Sequence, residues 1–146
     1  MENFDNNEQV TIVIVDDEQM VLTSLSSFFM LETDYNIVEF TSAKEALNYI
    51  ENNDIDLVIS DQMMPEMDGI SFLKKVRAIQ PAVPRYLLTG YADKENAIQA
   101  INHVALDKYI QKPWDNEKLA DLVDNDVKKR NIMKMFERKI NEINDA

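Results

Sequence analysis

Asp61 closes an apolar run, Ile55-Asp56-Leu57-Val58-Ile59-Ser60, and opens a stretch punctuated by proline and glycine, Gln62-Met63-Met64-Pro65-Glu66-Met67-Asp68-Gly69. A carboxylate where a buried strand gives way to a loop is placed for chemistry rather than for solubility. Asp16-Asp17 follow a second apolar run, Val10 to Val15, and Lys112 comes soon after a third, Tyr109-Ile110. Parallel strands ending side by side would bring three acids and one ammonium into a single pocket. Three carboxylates accept a hard divalent cation, Mg2+ with several waters retained. With that cation held by Asp17 and Asp61, and by Asp16 through water, an Asp61 oxygen can attack a phosphoryl donor in line and form an aspartyl phosphate. Lys112 would contact the transferred group as a point charge, and the Thr89 hydroxyl would hydrogen-bond one of its oxygens.

The elements that must position these groups alternate strand and helix. The pattern predicts β1 at 10–15, α1 at 19–30, β2 at 36–40, α2 at 43–52, β3 at 55–60, α3 at 69–79, β4 at 84–89, α4 at 93–102, β5 at 107–110 and α5 from about 115. Thr41-Ser42 can cap α2, Asp68-Gly69 opens α3, Pro81 and Pro84 separate α3 from β4, and Asp115 can cap α5. The near-continuous apolar character of β1, β3 and β4 suits a parallel sheet covered on both faces. The expected class is therefore α/β, a doubly wound five-stranded parallel sheet. Ligands of such sheets bind beyond the carboxyl ends of the strands, where Asp16, Asp17, Asp61, Thr89-Gly90 and Lys112 all fall.

Composition narrows the function classes. The chain has 146 residues, no cysteine and a single histidine, His103. Disulfide frameworks, thiolate chemistry and histidine-based triads or metal sites therefore lack material. Asp16-Asp17-Glu18 stands where a dinucleotide or flavin phosphate would need glycines and no negative charge. No run approaches the roughly 20 apolar residues of a membrane span, and the acidic start is unlike a signal peptide, so the expectation is a cytoplasmic protein with no membrane partner. The net charge of −12 resides in residues 1–60, with 13 acids against Lys44 alone, while residues 61–146 hold 14 of each sign. That field repels nucleic acid and attracts cations or a basic partner.

Taken together, Asp16-Asp17, Asp61 with Met64-Pro65-Glu66-Met67-Asp68-Gly69, Thr89-Gly90, Tyr109 and Lys112-Pro113 resemble the receiver domain of bacterial two-component response regulators. The likeness covers residues from about 10 to 125. It implies a flavodoxin-like sheet of order 2-1-3-4-5, the topology for which a receiver is itself a standard example. It also implies phosphotransfer from a histidine kinase or phosphotransfer protein onto Asp61, dependence on Mg2+ (or Mn2+), and self-catalysed dephosphorylation rather than turnover of an external substrate. The backbone carbonyl of Met63 would complete the metal site with Asp16, Asp17 and Asp61. Thr89 would move toward the phosphoryl group and Tyr109 would rotate inward, changing the face built by α4, β5 and α5. The Lys112-Pro113 peptide would be cis. Met63 and Tyr91 correspond to positions that govern access of the hydrolytic water, and their bulk implies slow loss of the phosphoryl group. Trp114 keeps a structural reading, Glu18 and Glu66 read as solvated loop acids, and His103 as an exposed helix-end residue.

The domain organisation expected is a flexible segment at 1–8, a receiver at 9–127 and a helical extension at 128–146. Leu119, Leu122, Val123 and Val127 form the stripe that packs α5 on the sheet. Met133, Phe136, Ile140 and Ile143 then recur at heptad-like spacing, out of register with the first stripe because Asp126 and Lys129 intervene. Lys128, Lys129, Arg130, Lys134, Arg138 and Lys139 make this the most basic part of the chain, although no recognition-helix motif accompanies them. The extension reads as a signalling helix to an effector domain, as a homodimerisation helix, or as a segment folded back on the domain. Thr89-Gly90-Tyr91-Ala92-Asp93 and Lys112-Pro113-Trp114 are also similar to segments of receivers fused to cyclic-dinucleotide phosphodiesterase or kinase modules. A phosphatase of an α/β fold that passes through an aspartyl phosphate is the alternative. Such enzymes place two aspartates two residues apart after the first strand, followed by Gly or Thr, and Asp16-Asp17-Glu18-Gln19 lacks that arrangement.

Overall fold

Near-continuous burial along β1, β3 and β4, the apolar runs of the sequence, is what a sheet with two covered faces requires. The computed structural model describes residues 9–90, 98 and 106–145. Within them lie β1 (Thr11–Val15), α1 (Gln19–Glu32), β2 (Asn36–Phe40), α2 (Ala43–Asn52), β3 (Leu57–Asp61), α3 (Gly69–Ile79), β4 (Arg85–Thr89), β5 (Lys108–Gln111) and α5 (Asn116–Asp145). The expected α4 at 93–102, Tyr91 and His103 lie outside the description, apart from Ile98. All strands are parallel in the order β2-β1-β3-β4-β5, the doubly wound order that the resemblance implied.

Successive strand residues face opposite layers. Val13, Val15, Val58 and Leu87 pack with Ala46 and Ile50 of α2 and Phe72, Leu73 and Val76 of α3. Ile12, Ile14, Leu57, Ile59 and Leu88 point the other way, against Leu22, Leu25 and Phe29 of α1 and Leu119, Val123 and Val127 of α5. Burying each of these large side chains contributes about 1.5–3 kcal/mol, so the two layers together fix the register of the strand ends.

Local chemistry sets the helix starts. Ser42 Oγ accepts the Glu45 N–H at 3.3 Å, and Asp68 Oδ1 accepts the Ser71 N–H at 2.8 Å. Asp115 Oδ1 accepts the N–H groups of Glu117 and Lys118 at 2.9 and 3.3 Å. Each cap satisfies donors that the first helical turn leaves unpaired. The expected boundaries hold to within two residues, with one shift that matters. β3 begins at Leu57 rather than Ile55, because Asp56 turns its side chain to charged partners, and it runs through Asp61, which is thereby the strand's last residue. α5 continues unbroken for 30 residues, a span of about 45 Å at 1.5 Å per residue. Among the described residues no helix is long and apolar enough to cross a membrane.

Candidate functional site

The strand ends do converge. Asp16 follows β1 directly, held by its N–H bond to the Phe40 carbonyl at 3.1 Å, while Asp61 ends the neighbouring β3. Carboxylate oxygens of Asp16, Asp17 and Asp61 lie within 4.8 Å of one another. Asp16 and Asp61 are buried and Asp17 is exposed, so the trio is a half-open cup rather than a closed cage. Across it, Lys112 Nζ stands 2.9 Å from Asp61 Oδ1. The Lys112 N–H bonds the Thr89 carbonyl at 2.8 Å, tying the end of β5 to β4, and the Lys112–Pro113 peptide that follows is cis, as the resemblance implied.

Electrostatics give the cup its character. Asp16 Oδ1 accepts the Glu18 N–H at 2.9 Å, but Oδ2 is buried without a hydrogen-bond partner. Burial, with smaller contributions from the Asp61 and Asp17 charges, pushes the Asp16 carboxyl up to about 6 from 3.8, against the opposing pull of the Glu18 N–H and Lys112. Burial opposes the charge of Lys112, yet the Asp61 hydrogen bond and the charges of Asp61, Asp16 and Glu18 together hold its ammonium above its ordinary range. Among the described residues one ammonium thus faces three carboxylates, and an orphaned buried oxygen points at the shortage of positive charge there. An all-oxygen set of this size suits a hard cation such as Mg2+, completed by water.

The remaining predicted residues take distinct places. Thr89 ends β4 with its hydroxyl fully buried and without a hydrogen-bond partner among the described residues. Tyr109 is half-buried on β5, packed against the α2–α3 layer. The Met63 side chain is exposed, two residues beyond Asp61, and Trp114 packs against the α1–α5 layer with its indole N–H on Asn116 Oδ1 at 2.8 Å. Glu66 is exposed at a left-handed turn, φ 70°, and stands 3.9 Å from Lys44.

Two residues shape the loop after Asp61: Gln62, to which the sequence assigned no role, and Gly69, expected only to open α3. Gln62, although polar, is buried. Its N–H bonds the Leu88 carbonyl at 3.0 Å, its carbonyl accepts the Gly69 N–H at 3.0 Å, and its side-chain oxygen accepts the Ile70 N–H at 2.9 Å. Both ends of the loop are therefore closed on one residue. Gly69 is required by close approach, since a Cβ there would stand 2.2 Å from the Asp61 carbonyl oxygen. A chain with only two glycines, one of them opening a helix beside the candidate nucleophile, carried a signal for that contact.

Comparison with known proteins agrees with the fold. A sequence model of the response regulator receiver domain matches residues 12–124. The hydrogenase transcriptional regulatory protein HoxA of Cupriavidus necator is 32% identical over 118 residues, 81% of this chain and 24% of that protein. A CheY-like response regulator receiver domain protein from Methanospirillum hungatei superposes with a TM-score of 0.79 at 28% identity, covering 86% of this chain and 99% of that one. The signal receiver domain of an HD domain-containing protein from Pseudomonas fluorescens gives 0.80 at 28% identity, covering 87% and 93%. The chain spans about a quarter of the length of the curated relatives it matches.

Proposed function

We propose that this chain, which belongs to the response regulator receiver family, accepts a phosphoryl group on Asp61 from a histidine kinase or phosphotransfer protein and relays its presence through the face that β5 and α5 form with the expected α4. The observation that carries the reading is Lys112 Nζ at 2.9 Å from Asp61 inside a three-carboxylate cup. Asp61 Oδ attacks phosphorus as the phosphorus–nitrogen bond of a phosphohistidine breaks, and the departing imidazole keeps the electron pair and takes a proton. Lys112 shifts its hydrogen bond toward the new phosphoryl oxygens, which carry the negative charge that Asp61 gives up. Asp16, Asp17, Asp61 and the Met63 carbonyl would hold Mg2+ or Mn2+, whose chemistry when bound is to neutralise charge on the incoming phosphoryl group.

The unpartnered Thr89 hydroxyl is the natural reader of the event. A buried hydroxyl without a partner is costly, and a phosphoryl oxygen on Asp61 would satisfy it. Tyr109 follows into the vacated space, so that a local electrostatic change biases the packing around β5. Met63 and Tyr91 would screen the acyl phosphate from water. The site acts as a phosphoacceptor that works in the cytoplasm, with no membrane or direct nucleic-acid role. The exposed Met133, Phe136, Ile140 and Ile143 stripe would serve a homodimer or a fused effector.

Acetyl phosphate with Mg2+ tests the acceptor directly. Intact-mass measurement should show one phosphoryl group added to the parent and none to Asp61→Asn, without continuing hydrolysis of acetyl phosphate at the rate of a phosphatase. Steady turnover with no stable adduct would favour the phosphatase reading instead.

A further inference from the structure

The end of the sheet opposite the acid cup holds a second charge cluster that phosphoacceptor chemistry does not use. Asp56, immediately before β3, is only 6% exposed. Its Oδ2 accepts the Thr11 N–H at 2.8 Å and its Oδ1 accepts Lys134 Nζ at 2.6 Å. Arg130 Nε lies 3.4 Å from the same Oδ1, a charge contact without hydrogen-bond geometry. The other two guanidinium nitrogens donate to the Ala82 carbonyl at 3.3 Å and the Ile55 carbonyl at 3.0 Å. Two cations one helical turn apart on α5 thus hold the approaches to β3 and β4, and Asp56 links them to the start of β1.

The apolar packing of α5 ends earlier, at Val127. Arg130 and Lys134 therefore extend the docked part of the helix by almost two turns through polar contacts alone. From Met135 to Asp145 every residue is exposed, Phe136, Ile140 and Ile143 included. A segment of that length is too short to persist as a helix by itself, where even about 12–15 residues are marginal, so its direction is inherited from the docked turns. Ordinary surface ion pairs contribute little, but these side chains are mostly enclosed, with 13% of Arg130 and 28% of Lys134 exposed. Removing one partner leaves a buried charge uncompensated, which makes the contact all-or-none rather than graded.

We propose that Asp56, Arg130 and Lys134 form a latch that carries the rigid body of the domain to Lys134 and fixes the direction in which residues 135–145 leave it. Asp56 adjoins the first residue of β3 and Asp61 is its last, so the latch references the outgoing helix to the strand that bears Asp61. Whatever that helix engages is then presented at a set angle to the acid cup. The latch is independent of the chemistry at Asp61 and is testable without phosphorylation.

The chain has no cysteine, so spin labels can be placed by single substitutions at Glu51 on α2 and Asn141 on the exposed segment, both at the surface. Pulsed electron–electron distance measurement on the full chain, diluted tenfold with unlabelled protein, reads the direction of the helix. The parent should give one narrow distance distribution. Asp56→Asn, which keeps an oxygen for the Thr11 N–H while losing the charge, should broaden it at least twofold, as should Lys134→Met. The double variant D56N/K134M should be no broader than D56N alone, because the Asp56 change already removes the ion pair that Lys134 makes. It also leaves no lone aspartate under the helix, and serves if a single variant fails to fold. A parent distribution as broad as those of the variants, or folded variants as narrow as the parent, would overturn the latch.

Discussion

Replacing Asp16 with Asn should stabilise the metal-free protein at neutral pH while weakening its response to Mg2+. Asn keeps the Oδ1 that accepts the Glu18 N–H and removes the charge whose second oxygen is buried without a partner. The Asp16 carboxyl is raised from 3.8 to about 6, chiefly by burial and then by Asp61 and Asp17. At about 1.4 kcal/mol per pH unit this amounts to roughly 3 kcal/mol, an upper figure once water entering the open cup is allowed for. Because the folded state holds this proton more tightly than the unfolded chain, the contribution to stability is complete below pH 3.8. It is lost as pH rises through about 6. Urea denaturation in EDTA should therefore find the Asn variant about 1–3 kcal/mol more stable than the parent at pH 7.5, with the gap closing as pH falls toward 4. Saturating Mg2+ should stabilise the parent by mass action and the variant much less. A variant that is less stable than the parent at pH 7.5, or a gap that does not change with pH, would refute the reasoning.

Three further outcomes are expected of the same fold. Gly69→Ala should cost at least about 3 kcal/mol in denaturant stability and slow phosphorylation of Asp61, since its Cβ meets the Asp61 backbone at 2.2 Å; unchanged stability would remove the close-approach argument. Met63→Asn should shorten the lifetime of the acyl phosphate several-fold in a decay assay by admitting and orienting water, and a decay rate equal to the parent's would remove Met63 from that role. Light scattering after size exclusion should show the full chain self-associating at micromolar concentration through the exposed stripe, and a chain ending at Lys134 monomeric; two monomers would dismiss the homodimer.

The acid cup was legible because its residues sit at the ends of apolar runs. Parallel pairing then leaves them no place but one edge of the sheet, whatever the details of the helices between. Lys112 was legible by the same logic, at the end of β5 and 2.9 Å from Asp61, although the four half-buried residues of that strand announce it less clearly than the buried runs do. Gln62 escaped notice because a polar residue in a loop normally faces water, and only tertiary structure shows it closing the loop through backbone groups. Asp56 was visible as an acid inside an apolar run, Ile55-Asp56-Leu57, yet its partners lie 74 and 78 positions later, among the basic residues of one helix, and nothing in their spacing singles them out. Spacing along a chain reports what one element does with its own faces. It carries little about which distant charge will be brought against a buried one.

Borohydride trapping tests the central claim most directly. An aspartyl phosphate formed by acetyl phosphate and Mg2+ is reduced to homoserine, and peptide mapping then locates the converted side chain. The geometry of the cup predicts conversion at Asp61 alone, abolished by EDTA and strongly reduced in Lys112→Ala. Conversion at Asp16 or Asp17, or none in a folded protein with Mg2+ bound, would contradict it.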